Sequence, residues 1–136
     1  MSYLLDTNVI SEARKPNGNP NVRAWFTSVK GTDLYLSVLV VGEIRQGIER
    51  LRRRDSAQAS IYEIWLTQLR RDYADRILPI TPVVAEEWGR LNVPDPLPVI
   101  DGLLAATAHV HGLTIVTRNV ADLARTRVPL LNPFDR

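Results

Sequence analysis

The sequence predicts an α/β fold of three layers, α/β/α, around a central, mostly parallel sheet of about five strands. Three observations lead there. Short apolar runs alternate with stretches of helical period along the whole chain, the pattern of βαβ units whose sheet is covered on both faces. Apolar residues make up 45% and charged residues 24% of the chain, a balance that supports a packed core and argues against disorder. No internal repeat or low-complexity tract divides the 136 residues, so residues 1–136 are read as one domain.

The elements follow in order. Tyr3-Leu4-Leu5 reads as a buried strand ending at Asp6. Pro16-Asn17-Gly18-Asn19-Pro20 reads as a loop, since each residue in it breaks helices or favours turns. Leu34-Tyr35-Leu36 is a second strand. Ser37 is placed to cap a helix with an apolar stripe at Val40, Ile44, Ile48 and Leu51, the spacing of one helix face. That helix runs into Arg52-Arg53-Arg54. A further helix near Ala57 to Tyr73 carries Ile61, Trp65, Leu66 and Leu69. Ile77-Leu78-Pro79-Ile80 looks like a third strand, and Thr81-Pro82 opens a helix with proline at the tolerated first position. Asp101 to His111 reads as a helix closed by Gly112. Thr114 to Thr117 is a fourth strand, and Val128 to Leu131 a short fifth.

Composition removes several chemistries. There are no cysteines, which excludes disulfides, thiolate catalysis and cysteine-ligated zinc and fits a cytoplasmic setting. Two histidines cannot build a multi-histidine metal cage. No apolar run approaches the roughly 20 residues of a membrane span, and Met1 to Asp6 lacks the plan of a secretory signal. The formal charge is +2, too small to imply a polyanionic partner by itself. Of the 17 cations only Lys15 and Lys30 are lysines; the arginine excess suits phosphate, or reflects a compositional bias.

In a parallel sheet, ligands bind beyond the carboxyl ends of the strands, and that rule selects residues among the 15 acids. Asp6 directly follows the first strand. Asn119 and Asp122 follow the fourth. Asp101 opens a helix with the small residues Ala105 and Ala108 on its own face. Glu43 lies in the second turn of its helix, with Gly47 on the same face, and small residues beside an acid let a helix approach the sheet closely. Taken singly, each has an ordinary reading. Asp6 could bond local backbone amides, Asp101 could complement a helix dipole, and Asp122 could cap a turn. Taken together they imply a cluster. Two carboxylates ~4 Å apart repel by about 4 kcal/mol at an effective dielectric near 20, so a cluster calls for a cation or for protonation. An all-oxygen donor set selects Mg²⁺ or Mn²⁺ over zinc. The chemistry such a site supports is phosphodiester hydrolysis.

These residues also carry a resemblance. Leu4-Leu5-Asp6-Thr7-Asn8-Val9-Ile10 resembles the opening motif of PIN-domain ribonucleases. Ser37-Val38 through Val41-Gly42-Glu43-Ile44 and Gly47 resembles their second acidic helix. Ile100-Asp101-Gly102-Leu103-Leu104-Ala105-Ala106-Thr107-Ala108 resembles the third motif, and Thr117-Arg118-Asn119 with Asp122 the fourth. Leu131-Asn132-Pro133-Phe134 is similar to the ending of the VapC toxins of type II toxin–antitoxin pairs, the FitB-like group especially. The resemblance spans nearly the whole chain, in order. It implies a PIN-like fold and a metal-dependent endoribonuclease using Mg²⁺, with Mn²⁺ substituting. Carried over by position, it makes Asp6, Glu43 and Asp101 the core acids, with Asp122 and Asn119 at the fourth corner and Thr7 or Thr117 assisting through hydroxyls. Many relatives carry Asp where this chain has Asn119; the amide shifts weight onto Asp122 or leaves a second metal weak. The resemblance further implies an RNA substrate, a homodimer, a cognate antitoxin and operator DNA bound only through the antitoxin complex, with no membrane.

Arg118, beside the fourth motif, is the better candidate for a phosphate contact. The eight arginines between positions 45 and 76 face five acids and read mainly as a solvated helix surface. Trp25, Trp65 and Trp88 read as core or dimer contacts before base-stacking platforms. His109 and His111 read as cations at a helix end. Two other readings compete. A catalytically inactive PIN-like binding module predicts no effect of metal on stability. A phospho-acceptor domain wants a second acid where the chain has Asn8, or a lysine after the last strands, where it has none.

Overall fold

Leu4 and Leu5 are both fully buried, although neighbours on a strand point to opposite faces of the sheet. The sheet is therefore covered on both sides, as all-parallel sheets are. The computed structural model describes residues 1–135; Arg136 lies outside them. The strands are β1 (Tyr3–Leu5), β2 (Leu34–Ser37), β3 (Ile77–Leu78), β4 (Thr114–Val116) and β5 (Leu130–Leu131), in the order β3-β2-β1-β4-β5. Every pairing is parallel, with Tyr3 opposite both Leu34 and Thr114.

The helices are α1 (Thr7–Arg14), α2 (Pro20–Ser28), α3 (Val38–Arg52), α4 (Ser56–Asp72), α5 (Pro82–Leu91), α6 (Val99–His111) and α7 (Val120–Leu123). The chain steps outward from β1 to β3, then returns to the far side of β1. Right-handed crossovers put the outward helices on one face, where α1, α2, α3 and α4 pack together, and the return helices α5 and α6 on the other. The strand order reverses between β1 and β4. The crevice beyond the carboxyl ends of these two strands is the switch point where such folds bind ligands.

Caps and stripes form where the chain indicates. Ser37 accepts from Leu39 N and starts α3, whose Val40, Ile44 and Ile48 are buried. Thr81 accepts from Val84 N ahead of Pro82. Gly112 ends α6 with φ +67°, a conformation open to glycine at little cost.

The differences have local causes. The predicted third strand pairs only at Ile77 and Leu78, because Pro79 has no N–H to continue a ladder. Pro20, read as loop, is the first residue of α2, with Asn19 capping Asn21 N and Val22 N. The helix expected from Asp101 begins at Val99, which places Asp101 inside its first turn. Ile61, expected on the buried stripe of α4, is 54% exposed. The buried residues there are Ala59, Leu66 and Leu69, a helix face that Ile61 does not share.

Candidate active site

Asp6 stands at the end of β1 and caps α1. Its Oδ1 accepts from the backbone N–H of Thr7 at 2.7 Å. Its Oδ2 accepts from the Thr117 hydroxyl at 2.8 Å and from the Asn8 amide at 3.4 Å. The residue is only 7% exposed, and its own N–H donates to Val116 O at 2.9 Å. A buried carboxyl group bonded on both oxygens is held in one orientation.

Glu43 reaches the same corner from α3. The hydroxyl of Thr7 donates to its Oε1 at 2.6 Å, so neighbouring residues 6 and 7 hold one acid and orient another. Asp101, half-buried in the first turn of α6, has its carboxyl pushed above the usual aspartate range. Burial is the main cause, and the charges of Asp6, Asp122 and Glu43 add to it. That ordering puts all four predicted acids in one electrostatic neighbourhood, with Asp122 exposed on α7 at its open side. Asn119 is exposed at the cap position of α7, where its side chain makes no capping bond. Its backbone N–H donates to the Thr117 hydroxyl at 3.0 Å. Thr117, fully buried, thus accepts from the fourth motif while donating to the first.

Among the described residues, no three Asp, Glu, His or Cys side chains stand close enough to hold an ion by themselves. The acids share a field without forming a closed cage. Mg²⁺ asks for less than a cage, since one or two protein carboxylates suffice while water and substrate oxygens complete its shell. The donors are all oxygen, and the Asp101 carboxyl, raised mainly by burial, also feels the negative charges of Asp6, Asp122 and Glu43. Both properties fit a hard divalent cation.

Other expectations divide. Ala105 and Ala108 are fully buried beside Asp101, as a close-packed helix requires. Gly47 is different: a methyl group there would meet nothing within 4 Å, so it does not serve close approach to the sheet. It lines a cleft of about 350 Å³ that starts at Glu43 and is walled by Ile44, Ile48, Leu51, Tyr62 and Trp65. Trp25 is core. Arg45 and Arg52 pair with Glu49 and Glu63, as a solvated helix surface does. His109 bonds Glu87 across α5 and α6, about two turns along α6 from Asp101. Sequence reasoning missed Asn8, whose carbonyl accepts from Arg118 N at 3.3 Å while its amide reaches Asp6. It also missed Phe134, whose ring lies 3.8 Å beneath the Arg118 guanidinium. The motif strings that contain both residues carried no sign of these pairings.

A family model described as the PIN domain matches residues 3–128. The chain belongs to the PIN domain family. This PIN domain is 34% identical to Toxin FitB of Neisseria gonorrhoeae, with 96% of this chain and 97% of the relative covered. It is 30% identical to VapC ribonuclease Y4jK of Sinorhizobium fredii, with 97% of each covered. It superposes on a chain of the structure of FitAB bound to an IR36 DNA fragment with a TM-score of 0.89 and 32% identity, covering 98% of this chain and 96% of that one. The PIN fold accounts for the parallel five-stranded sheet. No helix among the described residues is long and apolar enough to cross a membrane.

Proposed function

We infer that this PIN domain is a metal-dependent endoribonuclease, the toxin of a type II toxin–antitoxin pair, hydrolysing phosphodiester bonds of RNA in the cytoplasm. The observation that carries the reading is the tying of acids from separate elements at the end of β1, Asp6 by Thr117 and Glu43 by Thr7, with the Asp101 carboxyl raised by burial first and then by the charges of Asp6, Asp122 and Glu43. Four acids from four elements sit at the sheet's switch point, where stability alone gives no reason to gather them.

One or two of Asp6, Asp101, Glu43 and Asp122 would hold Mg²⁺, or Mn²⁺ in its place, with water and substrate oxygens completing the shell. The ion, when bound, lowers the pKa of a water and polarises the scissile phosphate. The chain's own part is positional. Thr117, Thr7 and Asn8 fix Asp6, and Thr7 fixes Glu43. Asp101 and Asp122 add charge that favours a cation over any anion at the same point. Asn119 contributes an amide and a backbone tie instead of a fifth charge. Catalytic work falls to Asp6, Glu43, Asp101 and Asp122, with Asn119 at the rim and Thr7, Thr117 and Arg118 assisting.

The relatives support the partners. FitB and Y4jK are named as a toxin and a ribonuclease, and FitAB was captured on DNA. By analogy this chain pairs with a cognate antitoxin, forms a homodimer and reaches operator DNA only within that complex. A phospho-acceptor role fits poorly, because the residue two after Asp6 is Asn8 and the only lysines are Lys15 and Lys30.

The deciding experiment is cleavage of total RNA by antitoxin-free protein, with Asp6→Asn and Asp101→Asn as controls. Cleavage requiring Mg²⁺ or Mn²⁺, stopped by EDTA and lost in both folded variants, is the expected result. Cleavage persisting in both variants would remove the acid site from the reading.

A further inference from the structure

Four carboxylates at one crevice repel the polyanion they are to cut, so a cation must seat the RNA beside them. Several arginines are engaged elsewhere, while Arg54 lines the cleft that starts at Glu43. Arg45 and Arg52 pair with glutamates, Arg76 with Asp75, and Arg90 with Glu87. Arg14 lies over the rings of Tyr62 and Trp65. Arg118 has no carboxylate within ion-pair distance among the described residues. Glu12, whose carboxyl feels the Arg118 charge only weakly, is bonded instead by Asn19 N at 2.7 Å and Lys15 at 3.3 Å.

Arg118 is nevertheless not loose. Its backbone N–H donates to Asn8 Oδ1 at 3.3 Å, and its guanidinium carbon lies over the Phe134 ring, 3.8 Å from the centroid. Phe134 is itself anchored, its carbonyl accepting from Asn21 Nδ2 at 2.9 Å and its N–H donating to Asn132 Oδ1 at 2.9 Å. Stacking uses the face of a guanidinium and leaves its in-plane N–H edges free, the edges that grip phosphate in a fork. One residue earlier, Thr117 bonds Asp6 directly. An exposed arginine normally loses much rotamer freedom on binding a ligand; here the ring has already removed part of it.

We propose that Arg118, preset by Phe134 and Asn8, is the seat of an RNA backbone phosphate next to the acidic site, with Phe134 as its positioning residue. The proposal rests on the ribonuclease reading but is tested apart from cleavage. The probe is a short single-stranded RNA carrying a fluorophore, titrated by anisotropy against the full chain in EDTA, so that metal plays no part. Arg118→Ala should weaken binding about ten-fold and make the dependence of log K on log salt shallower by about 0.7, the share of one phosphate on a single strand. Phe134→Leu should weaken it about two- to five-fold with the salt slope unchanged, since the charge remains. Phe134→Tyr should restore binding. In the Arg118→Ala background, Phe134→Leu should add nothing, because a residue acting through another is silent once that other is gone. In cleavage assays Phe134→Leu should raise KM with kcat within about two-fold.

RNA affinity and salt slope unchanged in Arg118→Ala overturn the proposal, as does a Phe134→Leu loss that persists undiminished in the Arg118→Ala background. An Arg118→Ala defect confined to antitoxin binding overturns it too. Failure of the wild-type chain to cleave any RNA counts against the ribonuclease reading; the binding arms judge Arg118 separately.

Discussion

The hydroxyl of Thr117 donates to Asp6 Oδ2 at 2.8 Å across 111 positions of sequence, and the Thr117 Oγ1 itself accepts from Asn119 N at 3.0 Å. One buried atom thus joins the end of β1 to the loop after β4. It sets where Asp6 points and where Arg118 and α7 begin.

Thr117→Val keeps the shape of the side chain and removes both bonds. Two polar groups lose their partner, at about 1–3 kcal/mol for each one left unsatisfied, so the melting temperature should fall. Cleavage should fall about ten-fold or more, while Thr117→Ser should retain most of both. Thermal melts with RNA-cleavage rates on the three proteins check this. A fully active Thr117→Val would show that the hydroxyl does not position Asp6.

Asp101→Asn should stabilise the protein at neutral pH while abolishing cleavage. The folded carboxyl titrates above its ordinary value of 3.8, through burial first and then through Asp6, Asp122 and Glu43. A group whose pKa is raised on folding favours the native state below its unfolded pKa, and that advantage is lost as pH rises through the folded value. Wild-type and variant melting curves should therefore separate at pH 7 and converge near pH 3. Identical melting temperatures at pH 7 would mean that the acids do not oppose one another.

Divalent cations should raise the melting temperature of the wild-type chain. A ligand at 100 times its Kd stabilises by about 2.7 kcal/mol, several degrees for a chain of this size. Mg²⁺ and Mn²⁺ should both act, and Asp6→Asn should lose most of the shift. Differential scanning fluorimetry with and without EDTA reads it directly. No shift for any divalent cation would favour an inactive binding module.

Glu87 offers a control away from the crevice. The bond from Arg90 and, second among the attractive partners, His109 hold its carboxyl below the usual glutamate range. A pKa lowered on folding gives stability that is present above the unfolded value and lost as pH falls through the folded one. Glu87→Gln should melt lower than wild type at pH 7, match it at about pH 2–3, and cleave RNA at the wild-type rate.

How much of this was legible along the chain can be followed residue by residue. The cap at Ser37, the stripe Val40-Ile44-Ile48, the proline start at Pro82 and the Gly112 stop were readable because each depends on neighbours within about two turns. Asp6, Glu43, Asp101 and Asp122 could be picked out as candidates because their places next to strand ends or helix starts are also local. Ile61 went wrong for the opposite reason: periodicity says that a helix has an apolar face, while the partner helix decides which residues use it. The start of α2 hid inside a Pro-Asn-Gly stretch whose residues serve caps and turns alike.

By itself, then, the sequence determined the alternation of strands and helices, their caps, and the positions from which acids could meet. Tertiary structure decided that Thr117 holds Asp6, that Thr7 holds Glu43, that burial and like charge raise Asp101, and that Phe134 lies under Arg118. The division follows from range. Helix period, capping and turn chemistry act over a few residues, whereas these contacts exist only once strand order places β1 beside β4 and the carboxyl-terminal segment beside α2.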